Sequence, residues 1–411
     1  MTITLDDVRA AAELIAGQAD ATPLVRVPTL AKLTGVDVRY KLESLQPTGA
    51  FKVRGALNKL SQLDAAQRAA GVICCSAGNH ALAVAAHAEQ LGLPATIVMP
   101  VPTPFTKVER TRRYGAEVVL YGATLAEANE RADAFAAERG LTFVHPCDDP
   151  LVIAGQGTIG LEMLAAAPEL DVLVVPIGGG GLISGIATAA KALKPGIEIV
   201  GVEAARYPSM SEALAGKSPT SGGLTIAEGI AVKTPGRLTL PIVRELIDDI
   251  VVLDEPALET AVHTLAETGN LIAEGAGAAG FGAILADPGR FQGRVVGTVI
   301  CGGNIDARLL TSVLLRGLAR SGRLIRLRVE IADQPGALGT LTGLIGAAGG
   351  NIVDLSHRRM FFDVPTKQTH VDVIVETRNA EHGAELAARL KAAGFPTLRL
   401  SDRSLDGTVE D

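Results

Sequence analysis

Short apolar runs alternate with alanine-rich helical stretches along residues 1–320. A run that is rich in β-branched residues and bounded by turn residues predicts a strand buried on both faces, as in a parallel sheet that helices cover. The alternation predicts an α/β fold with open, doubly wound sheets. The predicted strands are GVICC (71–75), ATIVMP (95–100), EVVLY (117–121), VLVVPIG (172–178), EIVGVE (198–203) and RVVGTVICGG (294–303).

The pattern changes after Arg320. In residues 324–331, apolar and charged side chains alternate strictly, which predicts a strand with one buried face. A Pro-Gly turn, a helix, two strands (NIVDLSHRRM and THVDVIVET), a second helix and a last strand (TLRLS) follow. This βαββαβ order predicts a small ferredoxin-like domain over residues 324–411, after a larger domain over residues 1–320.

The composition narrows the classes of protein to which the chain can belong. Its 411 residues are 47% hydrophobic, enough to build two or three domains. The net charge of −7 includes no block of like charge, so we expect no nucleic-acid partner. The first residues lack a basic region followed by an apolar run, and no run approaches the roughly 18 apolar residues that span a bilayer, so we expect neither a secretion signal nor a membrane partner. The spacing of Cys74, Cys75, Cys147 and Cys301 fits neither a zinc site nor a disulfide framework, which favours a reducing cytoplasm.

Lys52 is the first candidate for chemistry, within SLQPTGAFKVRGA (44–56), where a loop turns into a helix. A lysine amine is nucleophilic only when it is deprotonated, and an apolar setting lowers its pKa because burial penalises the charged form. Phe51 and Val53 flank Lys52 and supply such a setting. A surface lysine early in a helix is the structural alternative.

A second motif, SAGNHALAVAA (76–86), opens a helix directly after a predicted strand. The unpaired N–H groups and partial positive charge of a helix N-terminus suit a substrate carboxylate. The Asn79 amide is able to hold a ring oxygen. The alternative is a turn and N-cap in which Asn79 and His80 only satisfy backbone groups, and for His80 we favour that structural role.

Four consecutive glycines in PIGGGGLISGIATAAK (176–191) link a predicted strand to a predicted helix. Without side chains, their N–H groups can approach a bound anion closely. The run lacks the Lys-Ser/Thr of a P-loop and the spacing of a dinucleotide fingerprint, so it predicts a cradle for one phosphate without magnesium. A purely structural turn would rarely need four glycines, and we therefore favour the functional interpretation.

A strand followed by glycines recurs in VICGGNID (299–306), which places Cys301 at the carboxyl end of its strand. Such strand ends bind ligands in α/β sheets, although a cysteine taken alone is more often a buried small hydrophobic residue. Together the four motifs supply an amine, a phosphate cradle, a polar group for a ring oxygen and a weakly polar thiol. These are the parts that pyridoxal phosphate requires.

The motifs GAFKVRGA, SAGNHA, GGGGLISG and CGGNID, in this order and spacing, resemble the threonine dehydratase (threonine ammonia-lyase) family of fold-type II pyridoxal-phosphate enzymes. The resemblance covers residues 5–320 and implies the open-sheet fold of the tryptophan synthase β type, in two α/β subdomains. The C-terminal domain resembles an ACT domain, an amino-acid-sensing fold, most clearly in DQPGAL and the following GGNI.

The resemblance implies a role for each motif. Lys52 would hold the cofactor covalently, Asn79 would bind its 3-hydroxyl oxygen, and Cys301 would stand near the pyridine nitrogen. The residues that would contact the cofactor are Phe51, Lys52, Asn79, Gly178, Gly179, Gly180, Gly181, Leu182 and Cys301. The residues that would receive the substrate carboxylate are Ser76, Ala77, Gly78, Asn79 and His80.

The implied reaction is the elimination of water from a β-hydroxy amino acid, with threonine favoured, to give a 2-oxo acid and ammonia. Lys52, once released, would take the α-proton as general base. Serine racemases resemble this framework but carry a serine where this chain has Ala77, which cannot exchange a proton, so elimination is favoured over racemisation. Serine and hydroxyaspartate dehydration stay open. A catalytically silent amino-acid sensor is the non-enzymatic alternative.

Three further expectations concern binding outside the cofactor site. Several family members bind a cation, monovalent or divalent, and Glu203 at the end of EIVGVE is the candidate ligand. The turn from Gln334 through Pro335 to Gly336 opens a helix whose N–H groups could bind an amino-acid effector, with isoleucine or valine the natural candidates because the family feeds isoleucine synthesis. The alternative is a turn and cap, in a domain that serves as a dimer contact. We also expect a homo-oligomer, either a dimer or a tetramer.

Overall fold

The structure, a computed structural model, describes residues 3–358 and 367–400. The chain divides into two compact units, Met1–Ile305 and Asp306–Asp411. In the described residues there are three sheets, one of six strands and two of four. None of the described helices combines the length and the apolar character that crossing a membrane requires.

The first unit alternates strands with helices, as predicted. Its strands are β1 (Leu24–Arg26), β2 (Asp37–Lys41), β3 (Val72–Cys75), β4 (Ala95–Met99), β5 (Glu117–Leu120), β6 (Thr142–Phe143), β7 (Val172–Pro176), β8 (Glu198–Ala204), β9 (Asp249–Leu253) and β10 (Val295–Val299). Its α-helices are α1 (Leu5–Ile15), α2 (Pro28–Thr34), α3 (Lys52–Ser61), α4 (Ala65–Ala70), α5 (Asn79–Leu91), α6 (Phe105–Arg112), α7 (Leu125–Arg139), α8 (Pro150–Ala166), α9 (Gly181–Leu193), α10 (Ser209–Leu214), α11 (Thr239–Leu246), α12 (Glu255–Glu267) and α13 (Gly275–Ala286). Short 3₁₀ helices cover Glu43–Leu45, Glu228–Ile230 and Pro288–Phe291.

Two sheets form the framework of this unit. The larger sheet has the order β1-β2-β10-β7-β8-β9 and the smaller has the order β5-β4-β3-β6. The pairs are parallel except that β1 runs antiparallel to β2 at the edge. Every residue of β3 and of β7 is buried, which explains why these strands read as continuous apolar runs. The prediction of open, parallel-rich α/β sheets is confirmed.

The topology brings the predicted motifs to strand ends. β3 leads through residues 76–78 into α5, and β7 leads through the glycine run into α9. β10 ends at Val299, just before Cys301. Ligands in α/β sheets bind at these carboxyl ends because the loops there converge on one edge.

The second unit contains one antiparallel sheet of order β12-β13-β11-β14. Its elements are α14 (Ala307–Arg320), β11 (Leu324–Ala332), α15 (Ala337–Ala347), β12 (Asn351–Arg358), β13 (Gln368–Glu376), α16 (Ala380–Ala392) and β14 (Thr397–Leu400). From β11 onward they follow the predicted order βαββαβ. The predicted strand residues Arg359 and Met360 and the polar tail from Ser401 lie outside the described residues.

The domain boundary drawn from the sequence lies between residues 320 and 324, whereas the structure groups α14 with the second unit. This helix contacts β11 and buries Val313 and Gly317. The division into a catalytic domain over residues 1–320 and a regulatory domain over residues 324–411 stays a prediction.

Candidate active site

Lys52 is the first residue of α3, where the chain leaves a loop that is bonded to the end of β10. The Phe51 N–H donates to the Cys301 carbonyl at 3.0 Å, and Ala50 forms an isolated antiparallel bridge with Gly302. The Lys52 Nζ donates to the Pro146 carbonyl at 2.6 Å. It also lies 4.9 Å from the centroid of the Phe51 ring. Lys52 is therefore half-buried, with its amine hydrogen-bonded within the unit.

Burial lowers the pKa of Lys52, while the nearby Cys147, Cys301 and Glu274 groups oppose this shift. A lowered pKa increases the fraction of uncharged amine at neutral pH, which is the form that attacks a carbonyl or takes a proton. The direction of this pKa shift is the one that the apolar neighbours of Lys52 predicted.

The glycine run forms a turn between β7 and α9 that only glycine can build. Gly180 has a φ of +90°, and its neighbours leave no room for side chains. A Cβ at Gly179 would lie 2.2 Å from the Cys147 Sγ, and one at Gly181 would lie 2.9 Å from the Cys147 carbonyl oxygen. The Thr239 hydroxyl donates to the Gly179 carbonyl at 2.6 Å and fixes the turn. The first N–H groups of α9 lack acceptors within the helix, so this turn suits an anion.

The loop from Ser76 to Gly78 connects β3 to α5 and is half-buried. The Gly78 N–H donates to the Ser76 hydroxyl at 3.2 Å. His80 is buried in α5, and its Nε2 lies 2.8 Å from the Val144 carbonyl. Burial, followed by the charge of Lys52, lowers the pKa of His80 to about 3, so the imidazole is neutral. This contact agrees with the structural role that we favoured for His80.

Asn79 is held by two residues that the sequence analysis did not select. Its Nδ2 donates to the Glu274 Oε1 at 2.7 Å, and its Oδ1 accepts a hydrogen bond from the Asn304 Nδ2 at 2.8 Å. An amide nitrogen carries two hydrogens, so Asn79 keeps one donor for a further partner. Burial raises the pKa of Glu274 to about 7. Two local features of the sequence could have pointed to these residues. Asn304 belongs to the CGGNID motif, and Glu274 directly precedes the glycine-rich start of α13.

Cys301 lies in one buried apolar cluster with Phe51 and Leu182. Its Sγ contacts the Ala276 carbonyl at 3.5 Å, and burial raises the pKa of the thiol above its ordinary value. Cys301 is thus a neutral, weakly polar group at physiological pH. The cluster brings together residues from three of the four motifs.

A second segment that the sequence analysis did not select, residues 145–148, connects Lys52 to the glycine run. The His145 Nδ1 accepts hydrogen bonds from the N–H groups of Cys147 (3.2 Å) and Asp148 (2.7 Å). This turn directs the Pro146 carbonyl to Lys52 and places Cys147 against Gly179. The sequence HPCDD carries no pattern that identifies such a role.

Glu203, the candidate cation ligand, caps α10. Its carboxylate accepts hydrogen bonds from the N–H groups of Met210 (2.7 Å) and Ser211 (2.9 Å), and burial raises its pKa. Across residues 3–358 and 367–400, no group of three or more His, Cys, Asp or Glu side chains is arranged to hold a metal ion. Each carboxylate oxygen of Glu203 therefore already accepts a hydrogen bond, and the binding of a cation stays a prediction.

In the second unit, Gln334 and Gly336 are exposed in the turn before α15. Gly336 has a φ of +88°, and its carbonyl accepts the Thr340 N–H at 3.0 Å. The turn and helix start are present as predicted, and a ligand there stays a prediction.

The residues of the first unit fit pyridoxal phosphate at two separate points. An amine of lowered pKa is available for the aldehyde, and the side-chain-free turn at residues 178–181 is available for the phosphate. The remaining N–H of the Asn79 amide and the neutral Cys301 thiol are further polar groups that could bind the cofactor ring. Within residues 3–358 and 367–400, no acidic side chain forms a hydrogen bond with residues 178–181, which suits a phosphate group.

Comparison with known proteins agrees with this geometry. Residues 15–302 match the family described as pyridoxal-phosphate dependent enzymes. An L-threonine ammonia-lyase of Thermotoga maritima is 40% identical over 395 residues, which cover 96% of this chain and 98% of the relative. An L-threonine ammonia-lyase of Geobacter sulfurreducens is 45% identical over 381 residues, which cover 91% and 94%. The solved structure of maize serine racemase superposes with a TM-score of 0.72 at 35% identity and covers 78% of this chain and 99% of that chain. The chain belongs to the family of pyridoxal-phosphate-dependent enzymes.

Proposed function

We propose that this protein is a threonine ammonia-lyase, which converts L-threonine into 2-oxobutanoate and ammonia by α,β-elimination of water. The observation that carries the proposal is the Lys52 amine, which has a lowered pKa and donates to the Pro146 carbonyl, in the same unit as a side-chain-free anion turn. Two relatives named L-threonine ammonia-lyase align with more than nine-tenths of the chain, which supports the choice of reaction.

Bound pyridoxal phosphate supplies an electron sink that stabilises negative charge at the substrate α-carbon. Lys52 would hold the cofactor through Nζ, and the same atom would take the α-proton. The Pro146 carbonyl accepts a hydrogen bond from Nζ at 2.6 Å and so orients the amine for both roles. The N–H groups at the start of α9 would hold the phosphate.

The substrate carboxylate binds in the loop from Ser76 to His80, at the N-terminus of α5. The helix dipole and the N–H groups there favour a negative charge. The β-hydroxyl needs a proton to leave as water, and the Lys52 ammonium formed by taking the α-proton can supply it, so the elimination balances without a second acid. Serine and 3-hydroxyaspartate carry the same reacting groups, so they are the alternative substrates.

Ala77 favours elimination over racemisation. Racemisation needs a proton donor on the face of the substrate opposite Lys52, and a methyl group cannot donate. The solved maize serine racemase shares the framework at 35% identity, so the fold alone does not separate the two reactions. We propose that the residue at position 77 does.

A coupled assay of 2-oxo acid formation with L-threonine, L-serine and 3-hydroxyaspartate at equal concentrations tests the proposal. We expect the largest kcat/KM with threonine. Lys52→Ala is expected to remove both turnover and the visible absorbance of the bound cofactor. Near-normal turnover by this variant would refute the role of Lys52. A colourless wild-type protein without activity would instead support the amino-acid sensor.

The second unit is proposed to be an ACT-like regulatory domain that binds isoleucine or valine at the turn from Gln334 to Gly336. The βαββαβ order, the exposed turn and the positive φ of Gly336 support this assignment. Coupling of about 1–3 kcal/mol between effector and substrate is typical of such systems. Titration calorimetry with each common amino acid, paired with threonine kinetics and with a chain lacking residues 324–411, tests it. If none binds and none changes the kinetics, the domain is structural.

The protein is further proposed to act in the cytoplasm as a dimer or tetramer. The reduced state expected of its four cysteines and the absence of a spanning helix among the described residues support the location. Light scattering at several protein concentrations measures the oligomeric state, and a monomer at all of them would contradict this part.

A further inference from the structure

A buried group of charged side chains lies beneath the start of α3. It consists of Lys41, Glu43, Arg54 and Glu162, and is called the Arg54 cluster below. Two cations face two carboxylates, so the formal charges cancel. Lys41, Glu43 and Arg54 are at most 2% exposed. Burying charge without pairing is costly, so each charged side chain needs a partner of opposite sign within the cluster.

Arg54 is the hub of this cluster. Its Nε and Nη2 donate to the two oxygens of Glu43, both at 2.8 Å. Its Nη1 and Nη2 donate to the two oxygens of Glu162 at 2.6 and 2.9 Å. Further bonds reach the Thr158 hydroxyl (3.1 Å) and the Asp20 carbonyl (3.0 Å). All the guanidinium donors are therefore used, and they hold four separate points of the chain.

The first turn of α3 also contacts α8 through its backbone. A Cβ at Gly55 would lie 2.7 Å from the Val152 carbonyl oxygen, and one at Gly155 would lie 2.7 Å from the Arg54 carbonyl oxygen. The Gly55 N–H donates to the Gln156 Oε1 at 3.2 Å. Since Lys52 lies two residues before Arg54, any shift of this turn moves the base of the Lys52 side chain.

The same helix, α8, also contacts α9. A Cβ at Gly185 of α9 would lie 2.3 Å from the Ile153 carbonyl oxygen of α8. α9 begins at Gly181, the last residue of the glycine turn. α8 is thus common to the amine and to the anion turn, the two points at which a cofactor would be held.

We infer that Arg54 is a positioning residue for Lys52, which fixes the first turn of α3 against α8 and so sets where the Lys52 amine stands relative to the anion turn. The inference rests on the proposed role of Lys52. Arg54 does not act on the substrate; it acts through the helix that carries Lys52. A lysine cannot replace it, because a single ammonium cannot bridge two carboxylates with a planar fork.

Arg54→Lys and Arg54→Met test this inference, with Lys41→Met as the matched control. Arg54→Met and Lys41→Met each remove one positive charge from the same cluster, but Lys41 lies on β2 and not on α3. Arg54→Lys keeps the charge and removes the fork. The readouts are kcat per bound cofactor, KM, the visible circular dichroism of the cofactor and the thermal unfolding midpoint.

We expect both Arg54 variants to retain cofactor absorbance with kcat lowered roughly 10- to 100-fold, the range that misplacement of a reacting group produces. KM should stay within about twofold, since substrate contacts are untouched. The visible circular dichroism should change in both Arg54 variants. Lys41→Met should unfold at a lower temperature with normal kcat per bound cofactor.

Normal kcat per cofactor in Arg54→Lys, or an equal loss in Lys41→Met, would overturn the inference. So would folding of Lys41→Met alongside failure of both Arg54 variants to fold, because Arg54 would then serve only stability. A wild-type protein without cofactor would defeat the proposed function itself. If wild type prefers another amino acid, the same comparison is made with that substrate.

Discussion

Replacement of Glu274 by glutamine tests the electrostatics of the site. Burial raises the pKa of this carboxyl from its ordinary 4.5 to about 7. At about 1.4 kcal/mol per pKa unit, keeping Glu274 ionised in the folded protein costs roughly 3 kcal/mol. Glutamine keeps an oxygen that can accept the Asn79 hydrogen bond but carries no charge, so it avoids this cost.

The pH dependence of this stability difference follows from proton linkage. Because the folded protein binds the proton more tightly than the unfolded chain, the penalty is absent below pH 4.5, grows as the pH rises from 4.5 to about 7, and is complete above it. The Glu274→Gln variant should therefore match the wild type near pH 4.5. At pH 8 it should be more stable by up to about 3 kcal/mol, which amounts to several degrees in the unfolding midpoint.

Thermal unfolding of the cofactor-free proteins between pH 4.5 and 8.5 measures this difference. The cofactor is removed because its own ionisation adds a pH dependence. Glu89→Gln, at an exposed position of α5, is the control and should track the wild type. Parallel curves for wild type and Glu274→Gln over the whole range would refute the reasoning, since the carboxyl would then titrate as it does in the unfolded chain.

Two further predictions concern the anion turn and the substrate loop. Gly179→Ala should weaken cofactor affinity at least tenfold, about 1.4 kcal/mol, because its methyl group would collide with the Cys147 sulfur. Gly196→Ala, which has open space around it, is the control, and titration with cofactor followed by absorbance measures the affinity of both variants. Racemisation should be negligible beside ammonia release in the wild type, and Ala77→Ser should retain elimination while gaining slow D-amino-acid formation. Chiral chromatography that finds comparable D-amino acid in the wild type would contradict the reading of Ala77.

The sequence predicted those strands that are buried on both faces. β3 and β7 are continuous apolar runs, so their pattern is unambiguous. β2 was missed although DVRYK alternates charged and apolar residues as a half-buried strand does; the structure departs from that pattern at Lys41, which is buried next to Tyr40 through ion pairs that form only in the folded protein. β6 has two residues, too few for any periodicity.

The candidate site was predictable where a motif is local. Lys52, Asn79 and the glycine run each lie at a helix start beside a strand or loop, and the structure places them there. Glu274 was not predictable, because it meets Asn79 across 195 residues of chain. Arg54 and Glu162 are likewise separated by 108 residues, so only the packing of α3 on α8 reveals their pairing.

The Arg54 cluster has a consequence for the response of the enzyme to heat. The hydration of charged groups becomes less favourable as temperature rises, so the cost of burying ions falls, while the benefit of apolar burial per unit area levels off. The contribution of the Arg54–Glu43 and Arg54–Glu162 ion pairs to stability therefore increases, relative to that of apolar packing, as the temperature rises. On approach to thermal unfolding, the first turn of α3 should stay in place longer than neighbouring parts that rely on apolar packing alone.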